Sequence, residues 1–315
     1  MFLRFLGGRL LGTAPVLVIL SVGVFLMLHL TPGDPVQIML GQDADPGAVA
    51  ALRAELGLDQ PLPIQYARWV ADAVRGDLGR SIRTNQPVTE AIVSRLPVTI
   101  ELSVLALVLS LAIGLPAGVV AAIRRNTSVD LASTGLALVG VSLPSFFLGI
   151  LLILVFALWL RWVPPSGYTP LVLDPLMNVK QMFMPALALG AALAGIVARL
   201  TRSSLLEVLG TDYMRTARAK GLSEAASVVG HGLKNALLPV VTVVGLQVGA
   251  VLGGAILIET IFALPGIGRL AVDSIFARDF PMVQGVVLFL ALVRVVSNLI
   301  ADLLYARLDP RISYA

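Results

Sequence analysis

Six stretches of this chain are apolar over the length that a helix needs to cross a lipid bilayer. The interior of a bilayer offers no water to backbone groups, so each stretch is expected to form an α-helix, which bonds its own N–H and C=O groups. The composition agrees, because only 13% of the residues are charged, against about a quarter in soluble domains. We therefore expect an all-α membrane protein with six transmembrane helices. They are predicted at residues 12–30, 98–123, 131–160, 182–200, 236–262 and 283–305.

The distribution of basic residues predicts the orientation of these helices. Short segments rich in Lys and Arg face the cytoplasm, and most such residues lie before the first span, at Arg124 and Arg125, within residues 199–234 and in the tail, 306–315. We expect a multi-pass protein of the cell (inner) membrane with both termini in the cytoplasm. Residues 1–30 then form a retained first helix, and residues 31–97 an external insert.

The external insert carries apolar residues at helical spacing over residues 49–56 and 64–74. In the second of these segments Ile64, Tyr66, Trp69 and Val70 form an apolar stripe. Two interpretations remain open for the stripe. It is either a small core packed on the ends of the membrane helices or a surface that contacts a delivered substrate or partner.

Residues 202–235 interrupt the apolar half of the chain with a basic, helix-forming segment that includes "DYMRTARAKGLSEAASVVGHGLKN". Gly221 separates the helix-forming stretches 213–220 and 224–233, and glycine commonly ends a helix in a left-handed cap. Ser223 is suited to cap the second helix, and Pro239 is expected to end it and begin the next span. The segment is either a rigid elbow projecting from the membrane or a surface helix lying among lipid head groups.

Several kinds of site are excluded by composition. Cysteine is absent and only two histidines occur, so a disulfide framework or a zinc site is not expected. No GxxxxGK[ST] phosphate-binding loop is present, so the sequence predicts no ATP site of that kind in this chain. The modest net charge of +4 does not imply binding to nucleic acid.

Ionisable residues within the spans are functional candidates, because charge is costly in hydrocarbon. Glu101 and Glu259 lie near the outer ends of their spans, where either could reach interfacial water, and Glu259 is interpreted as a loop anchor or a gate. Arg294, Asn298 and Asp302 recur at intervals of four on one helix face. A secondary transporter would need an acidic residue near the middle of a span, and an intramembrane protease a Ser–His or paired-Asp site. The sequence gives no sign of either.

Motifs along almost the whole chain resemble the ABC importer permeases of the dipeptide, oligopeptide, nickel and glutathione family. The segment "RTARAKGLSEAASVVGHGLKNALLPVV" resembles their cytoplasmic EAA-type loop. That pattern usually has a glutamate six residues before the glycine, where this chain has Arg215, and Leu238-Pro239 lies farther from the glycine than in sugar-type permeases. Both departures resemble the peptide subfamily. Six further motifs occur in the family's order: "LHLTPGDPV", "LGLDQPLPIQYARWV", "GDLGRSI", "VSLPSFFLGILL", "FALPGIGRL" and "DLLYARLDPRISY".

The resemblance implies a type I ABC importer permease fold, with a five-span core over residues 98–305, and no catalytic, cofactor or metal site in this chain. The implied partners are a second permease, two cytoplasmic ATPases that bind ATP and Mg, an external substrate-binding protein and the lipid bilayer. Short peptides are the favoured substrate, with nickel chelates or glutathione as alternatives. Arg294, Asn298, Glu259 and Glu101 become candidates for the translocation path or gate. The expected coupling residues are Arg215, Thr216, Arg218 and Lys220 as contacts to the ATPase, Ala217 as a small residue allowing close approach, and Gly221 as the hinge.

Overall fold

The computed structural model describes residues 2–30, 36, 45–55, 57–221 and 223–308, with residues 2–11, 14, 28–30, 52, 55, 218, 224, 225, 248 and 301–308 described by their backbone alone. The described residues form helices and no β-strand, apart from an isolated antiparallel bridge between Arg80 and Pro87. The α-helices are α1 (Phe2–Leu30), α2 (Pro46–Glu55), α3 (Leu62–Val74), α4 (Val88–Ile123), α5 (Ser128–Ser142), α6 (Ser145–Leu152), α7 (Pro175–Leu209), α8 (Asp212–Ala219), α9 (Glu224–Ser227), α10 (Leu233–Ile261), α11 (Ile267–Phe276) and α12 (Phe280–Leu308). Two π-helices follow α6 and α9, at Ile153–Trp159 and Val228–Gly232.

A helix is present at each of the six predicted spans. Within the described residues, four helical segments are long and apolar enough to cross a membrane, and a fifth is obtained if α5 and the following helix count as one bent span. The first predicted span coincides with α1, in which Pro15–Met27 is the described apolar stretch. The prediction of an all-helical membrane protein is confirmed.

The third predicted span, residues 131–160, is not one straight helix. It breaks between α5 and α6, and the two directions differ by 107°. Leu143 adopts an extended conformation (ψ 127°) directly before Pro144, because the proline ring disfavours a helical conformation in the residue before it. The sequence expectation of a continuous span is therefore wrong at this point.

Pro239 does not end a helix, contrary to expectation. It lies inside α10, which continues to Ile261. Proline removes one backbone hydrogen bond from a helix, but ending the helix among apolar residues would leave more backbone groups without partners. Helix α9, the π-helix Val228–Gly232 and α10 follow one another without a gap, so residues 224–261 form one continuous helical segment.

The chain divides into two compact units. The first holds the described residues within Met1–Pro97 and Gly266–Val296, and the second those within Val98–Pro265 and Ser297–Ser313. The second unit is built around α7, the most buried of the long apolar helices identified in the described chain. Its core combines Leu102, Met182, Met184, Leu189, Val197, Ile258 and Phe262.

Glycine allows α7 to approach α4 and α5 at backbone distance. A Cβ atom at Gly114 of α4 would lie 2.7 Å from the carbonyl oxygen of Ala194, and one at Gly190 of α7 would lie 2.5 Å from that of Ala106. Gly195 is equally close to Ala137 of α5. Small residues at such crossings are typical of membrane helices, where close van der Waals packing replaces the hydrophobic effect as the attractive force.

In the first unit the apolar stripe of the insert packs on the first membrane helix. The ring of Tyr66 lies 5.4 Å from that of Phe25, and Trp69 lies 6.0 Å from Phe25. The Tyr66 hydroxyl also shares a 2.7 Å hydrogen bond with Ser21. The packed side of the stripe therefore matches the small-core interpretation, whereas Ile64 remains 43% exposed.

A second contact joins the insert to the start of the last helix. Asp279 is buried, and its carboxylate accepts hydrogen bonds from the Ser81 hydroxyl and from the Ile82 backbone N–H, the latter at 3.1 Å. Val88, Ile92, Leu270 and Val286 form the apolar cluster of this unit. The insert is thus held at two places by residues that are far from it in the sequence.

The predicted orientation can be tested by cysteine labelling in this cysteine-free chain. Cysteines at Asp72 and Asn85, both exposed, should react with a membrane-impermeant thiol reagent applied outside the cell, whereas cysteines at Ser128 and Ser223, also exposed, should react only after the membrane is opened. Ser227 is unsuitable because it is fully buried. The reverse labelling pattern would refute the predicted topology.

Candidate functional site

The segment between α7 and α10 contains the glycine-broken pair of helices that the sequence predicts. Helix α8 ends at Ala219, Gly221 has a φ of +83°, and α9 begins at Glu224. This left-handed conformation is one that residues with a Cβ rarely adopt. The Ser223 hydroxyl accepts a hydrogen bond of 3.3 Å from the Ala226 N–H, which caps α9 as expected. The role of Gly221 as a hinge stays a prediction.

Helix α8 is anchored to the ends of the membrane helices. Met214 is fully buried, and its Cε and Leu205 Cδ1 lie 3.6 and 3.4 Å from the Cβ position of Gly232. The Asn235 amide of α10 donates a 2.9 Å hydrogen bond to the hydroxyl of Tyr213. Helix α8 is therefore connected to α10 by both packing and a hydrogen bond.

The opposite face of α8 presents polar groups to solvent. Arg215, Thr216 and Lys220 are exposed, and Arg215 forms a 3.1 Å ion pair with Asp212 one turn earlier. Ala217 is buried, so its close approach in this structure is to residues of its own chain. The side chain of Arg218 lies outside the described part of the structure. The remaining predicted contact residues thus share an open surface that is available to a partner.

An ion pair that the sequence did not reveal fastens the loop between α4 and α5 to α7. Arg202 donates to both oxygens of Asp130, from Nε at 2.6 Å and from Nη2 at 2.7 Å. The Asn126 backbone N–H donates to the same carboxylate at 3.0 Å, and Thr127 caps the start of α5. The pair is mostly shielded from solvent, with 8% of the Asp130 side chain and 28% of the Arg202 side chain exposed. Two-point contacts of this kind fix orientation as well as distance.

Glu101 holds the loop that precedes α7. The Tyr168 hydroxyl donates to one carboxylate oxygen at 2.8 Å, and the Asn178 amide donates to the other at 2.6 Å. Asn178 also donates to the Thr169 carbonyl at 2.9 Å. Burial and the bond to Glu101 raise the pKa of Tyr168 to about 12, so its hydroxyl stays protonated and remains a donor at physiological pH. In this structure Glu101 is a loop anchor.

Glu259 is fully buried, so the expectation that it reaches interfacial water is wrong. The Thr99 hydroxyl of α4 donates a 2.6 Å hydrogen bond to its carboxyl group, and the backbone carbonyl of Glu259 accepts from the Leu264 N–H at 2.8 Å. Both contacts tie the end of α10 to its surroundings. This geometry matches the interpretation of Glu259 as an anchor for the following loop.

Arg294 and Asn298 are both exposed on α12. Among the described side chains, no carboxylate forms an ion pair with Arg294, and Asp302 belongs to the part whose side chains are not described. Among the described side chains, the two members of the predicted common face on α12 are therefore exposed, and the role of Arg294 stays a prediction.

Comparisons with known proteins agree with this architecture. The sequence profile of the family described as "Binding-protein-dependent transport system inner membrane component" matches residues 114–314, and the profile of its N-terminal region matches residues 2–103. The chain belongs to this family, and it is a permease subunit of an ABC importer. It is a multi-pass inner membrane protein.

Individual relatives match over almost the full length. The glutathione transport system permease protein GsiC of Escherichia coli (strain K12) is 45% identical over 306 residues, which cover 97% of each chain. A protein of Brucella suis biovar 1 (strain 1330), provisionally named as a peptide transport system permease, is also 45% identical, over 97% of this chain and 98% of its own.

A solved structure shares the fold. A chain of the MetNI methionine ABC transporter, crystallised in inward-facing conformations, superposes with a TM-score of 0.56 at 17% identity, over 69% of this chain and 95% of that chain. The match confirms the type I importer permease fold that the sequence motifs predicted.

The Asp130–Arg202 pair predicts a measurable loss of stability. Arg202→Gln in the assembled importer should lower the melting temperature, because Asp130 then remains buried without its cation, and a hydrogen bond to a charged group contributes about 1.5–3 kcal/mol. Arg75→Gln is the matched control: its ion pair with Asp72 leaves 76% and 55% of the two side chains exposed and contributes about 0–1 kcal/mol. Equal melting temperatures for the two variants, measured by thermal unfolding, would show that the pair does not anchor the loop.

Proposed function

We propose that this permease carries short peptides across the inner membrane, driven by ATP that two cytoplasmic ATPase subunits bind with Mg and hydrolyse. A second, homologous permease completes the path, and an external binding protein delivers the substrate. Support for the substrate class comes from the relatives, whose names specify peptides or glutathione, itself a short peptide with free carboxylates. Glutathione is therefore the second candidate substrate.

The observation that carries the coupling role is the double attachment of α8. One face is anchored by buried Met214 and by the hydrogen bond between Tyr213 and Asn235, while Arg215 and Thr216 remain exposed on the other. A rigid element attached in this way converts a push on its exposed face into a tilt of the spans that it joins. The exposed face would lie in a groove of the ATPase.

The residues that pack beneath α8 connect it to further membrane helices. Leu205 of α7 clusters with Ala122, Val228 and Ala236, and Arg202 lies one turn earlier on the same helix, bonded to Asp130. Motion of α8 would therefore reach α4, α5 and α7 together. These contacts favour the rigid elbow over a surface helix lying among lipid head groups. We call this elbow, residues 212–233, the lever, because its motion would tilt the spans.

Gly221 variants test the lever. Gly221→Val should reduce substrate-stimulated ATP hydrolysis and uptake by the reconstituted importer, because a left-handed φ costs a residue with a Cβ roughly 1–2 kcal/mol, equivalent to a factor of about 5–30 in the population of the native cap. Among the described residues nothing lies within 4 Å of a Cβ built at Gly221, so the effect comes from the backbone and not from a clash.

Two controls separate this effect from general damage. Gly221→Asn should be milder, because Asn tolerates the left-handed conformation, and Gly230→Val should be nearly silent, because Gly230 has no positive φ and no described atom within 4 Å of its Cβ position. Reversing Arg215 and Arg218 to Glu should also uncouple hydrolysis from transport. Wild-type hydrolysis and uptake in Gly221→Val and in the charge reversal would refute the lever.

Arg294 is proposed to meet the carboxylate of a passing peptide. It is exposed and has no ion pair among the described residues, and a guanidinium binds a carboxylate through two parallel hydrogen bonds. Arg294→Gln should reduce uptake of free-carboxylate peptides by about tenfold or more, with a smaller effect on C-terminally amidated peptides. Assembly and basal ATP hydrolysis should not change. An equal loss for both peptide classes in transport assays would assign Arg294 a structural role.

A further inference from the structure

An apolar crevice of about 210 Å³ opens beside the first and last helices of the first unit. Its walls are Val24 and Met27 of α1 together with Phe280, Val283 and Val287 of α12, and Arg278 stands among them as the charged residue. An apolar cavity of roughly 150 Å³ is large enough to take benzene. The crevice therefore has room for a short length of hydrocarbon chain.

The walls of the crevice are fixed by buried contacts. Val24, Val283 and Gln284 are each buried, and the Gln284 amide of α12 donates a 3.3 Å hydrogen bond to the Val24 carbonyl of α1. The opening is therefore a packed feature of the unit. It lies at the ends of the two helices on the same side as the insert, because Asp279, next to Arg278, binds Ser81 and Ile82 of the insert.

Arg278 is held at the rim without an acidic partner among the described residues. Its backbone has a φ of +54°, in the turn between α11 and α12. The two nearest carboxylates in sequence are engaged elsewhere: Asp273 forms a 3.5 Å ion pair with Arg269, and Asp279 accepts from Ser81 and Ile82. Arg278 is thus an exposed cation that lines an apolar crevice, without an ion pair among the described residues.

We propose that this crevice is a binding site for a glycerophospholipid, which places part of one acyl chain between α1 and α12 and its phosphate on Arg278. The apolar walls match the chain, and the guanidinium forms paired hydrogen bonds with phosphate oxygens. The position suits this ligand, because Arg278 lies in the turn directly before α12, whose segment Phe280–Ile300 is long and apolar enough to cross a membrane. A bound lipid would fill the space between the first and last helices of the unit.

The test compares two lipids with identical chains, dioleoyl phosphatidylglycerol and dioleoylglycerol, which lacks the phosphate. Each is added to the delipidated, detergent-purified importer, and binding is measured by native mass spectrometry. The wild type should retain phosphatidylglycerol in preference to dioleoylglycerol. Arg278→Gln should weaken phosphatidylglycerol binding by about tenfold or more, and Val287→Trp, which fills the crevice, should abolish it.

Arg161→Gln is the matched control, since Arg161 is also an exposed arginine, with the same φ of +54°, but does not line the crevice. It should bind phosphatidylglycerol like the wild type. Unchanged binding in Arg278→Gln, or equal binding of the two lipids by the wild type, would overturn the proposal. The proposal would also be overturned if the Val287→Trp importer lost its second permease but still bound phosphatidylglycerol. That result would indicate that a side chain of the second permease occupies the crevice.

Discussion

The backbone-distance packing of α7 against α4 and α5 is the contact on which the second unit depends. In lipid, apolar side chains gain nothing by leaving one apolar environment for another, so helices are held by close van der Waals contact and hydrogen bonds. Gly114, Gly190 and Gly195 provide that contact because a Cβ at any of them would collide with a neighbouring backbone. These three helices are therefore in direct backbone contact with one another through α7.

Helix α7 also holds the segment that contains α8, for which the coupling role is proposed. Arg202 binds Asp130 in the first turn of α5, and Leu205 packs beside Gly232, against which Met214 of α8 also lies. Packed elements of this kind shift between discrete arrangements and do not deform continuously. Under the proposed lever mechanism, a partner that moves α8 would consequently tilt α4, α5 and α7 together.

Two buried carboxylates help to select one conformation for the loops beside the membrane helices. Glu259 and Asp279 are both buried, and each accepts a hydrogen bond from a hydroxyl group distant in sequence, Thr99 and Ser81. A buried polar group without such a partner is costly, so these pairs favour one loop arrangement over others. Arg278 and Arg294 differ from these carboxylates, because both are exposed and neither has an ion-pairing partner among the described residues. Each could therefore bind a phosphate or carboxylate group of a ligand.

The sequence by itself determined the features that depend on neighbouring residues. The positions of the six helices follow from apolar length, because a bilayer accepts only backbone that satisfies its own hydrogen bonds, and the cap at Gly221 follows from the conformational freedom of glycine. The break at Leu143 and Pro144 also has a local cause, the effect of proline on the residue before it. The prediction missed it because residues 131–160 were assigned to one span from their apolar length alone.

Only the tertiary structure decided which polar groups meet. Asp130 and Arg202 are 72 residues apart, and Thr99 and Glu259 are 160 apart, so no local pattern pairs them. The burial of Glu259 and Ala217 was likewise undetermined by the sequence, because exposure depends on which helices pack together. Propensity and apolar length act along the chain, whereas hydrogen-bond partners and burial are set by helix crossings that bring distant segments together.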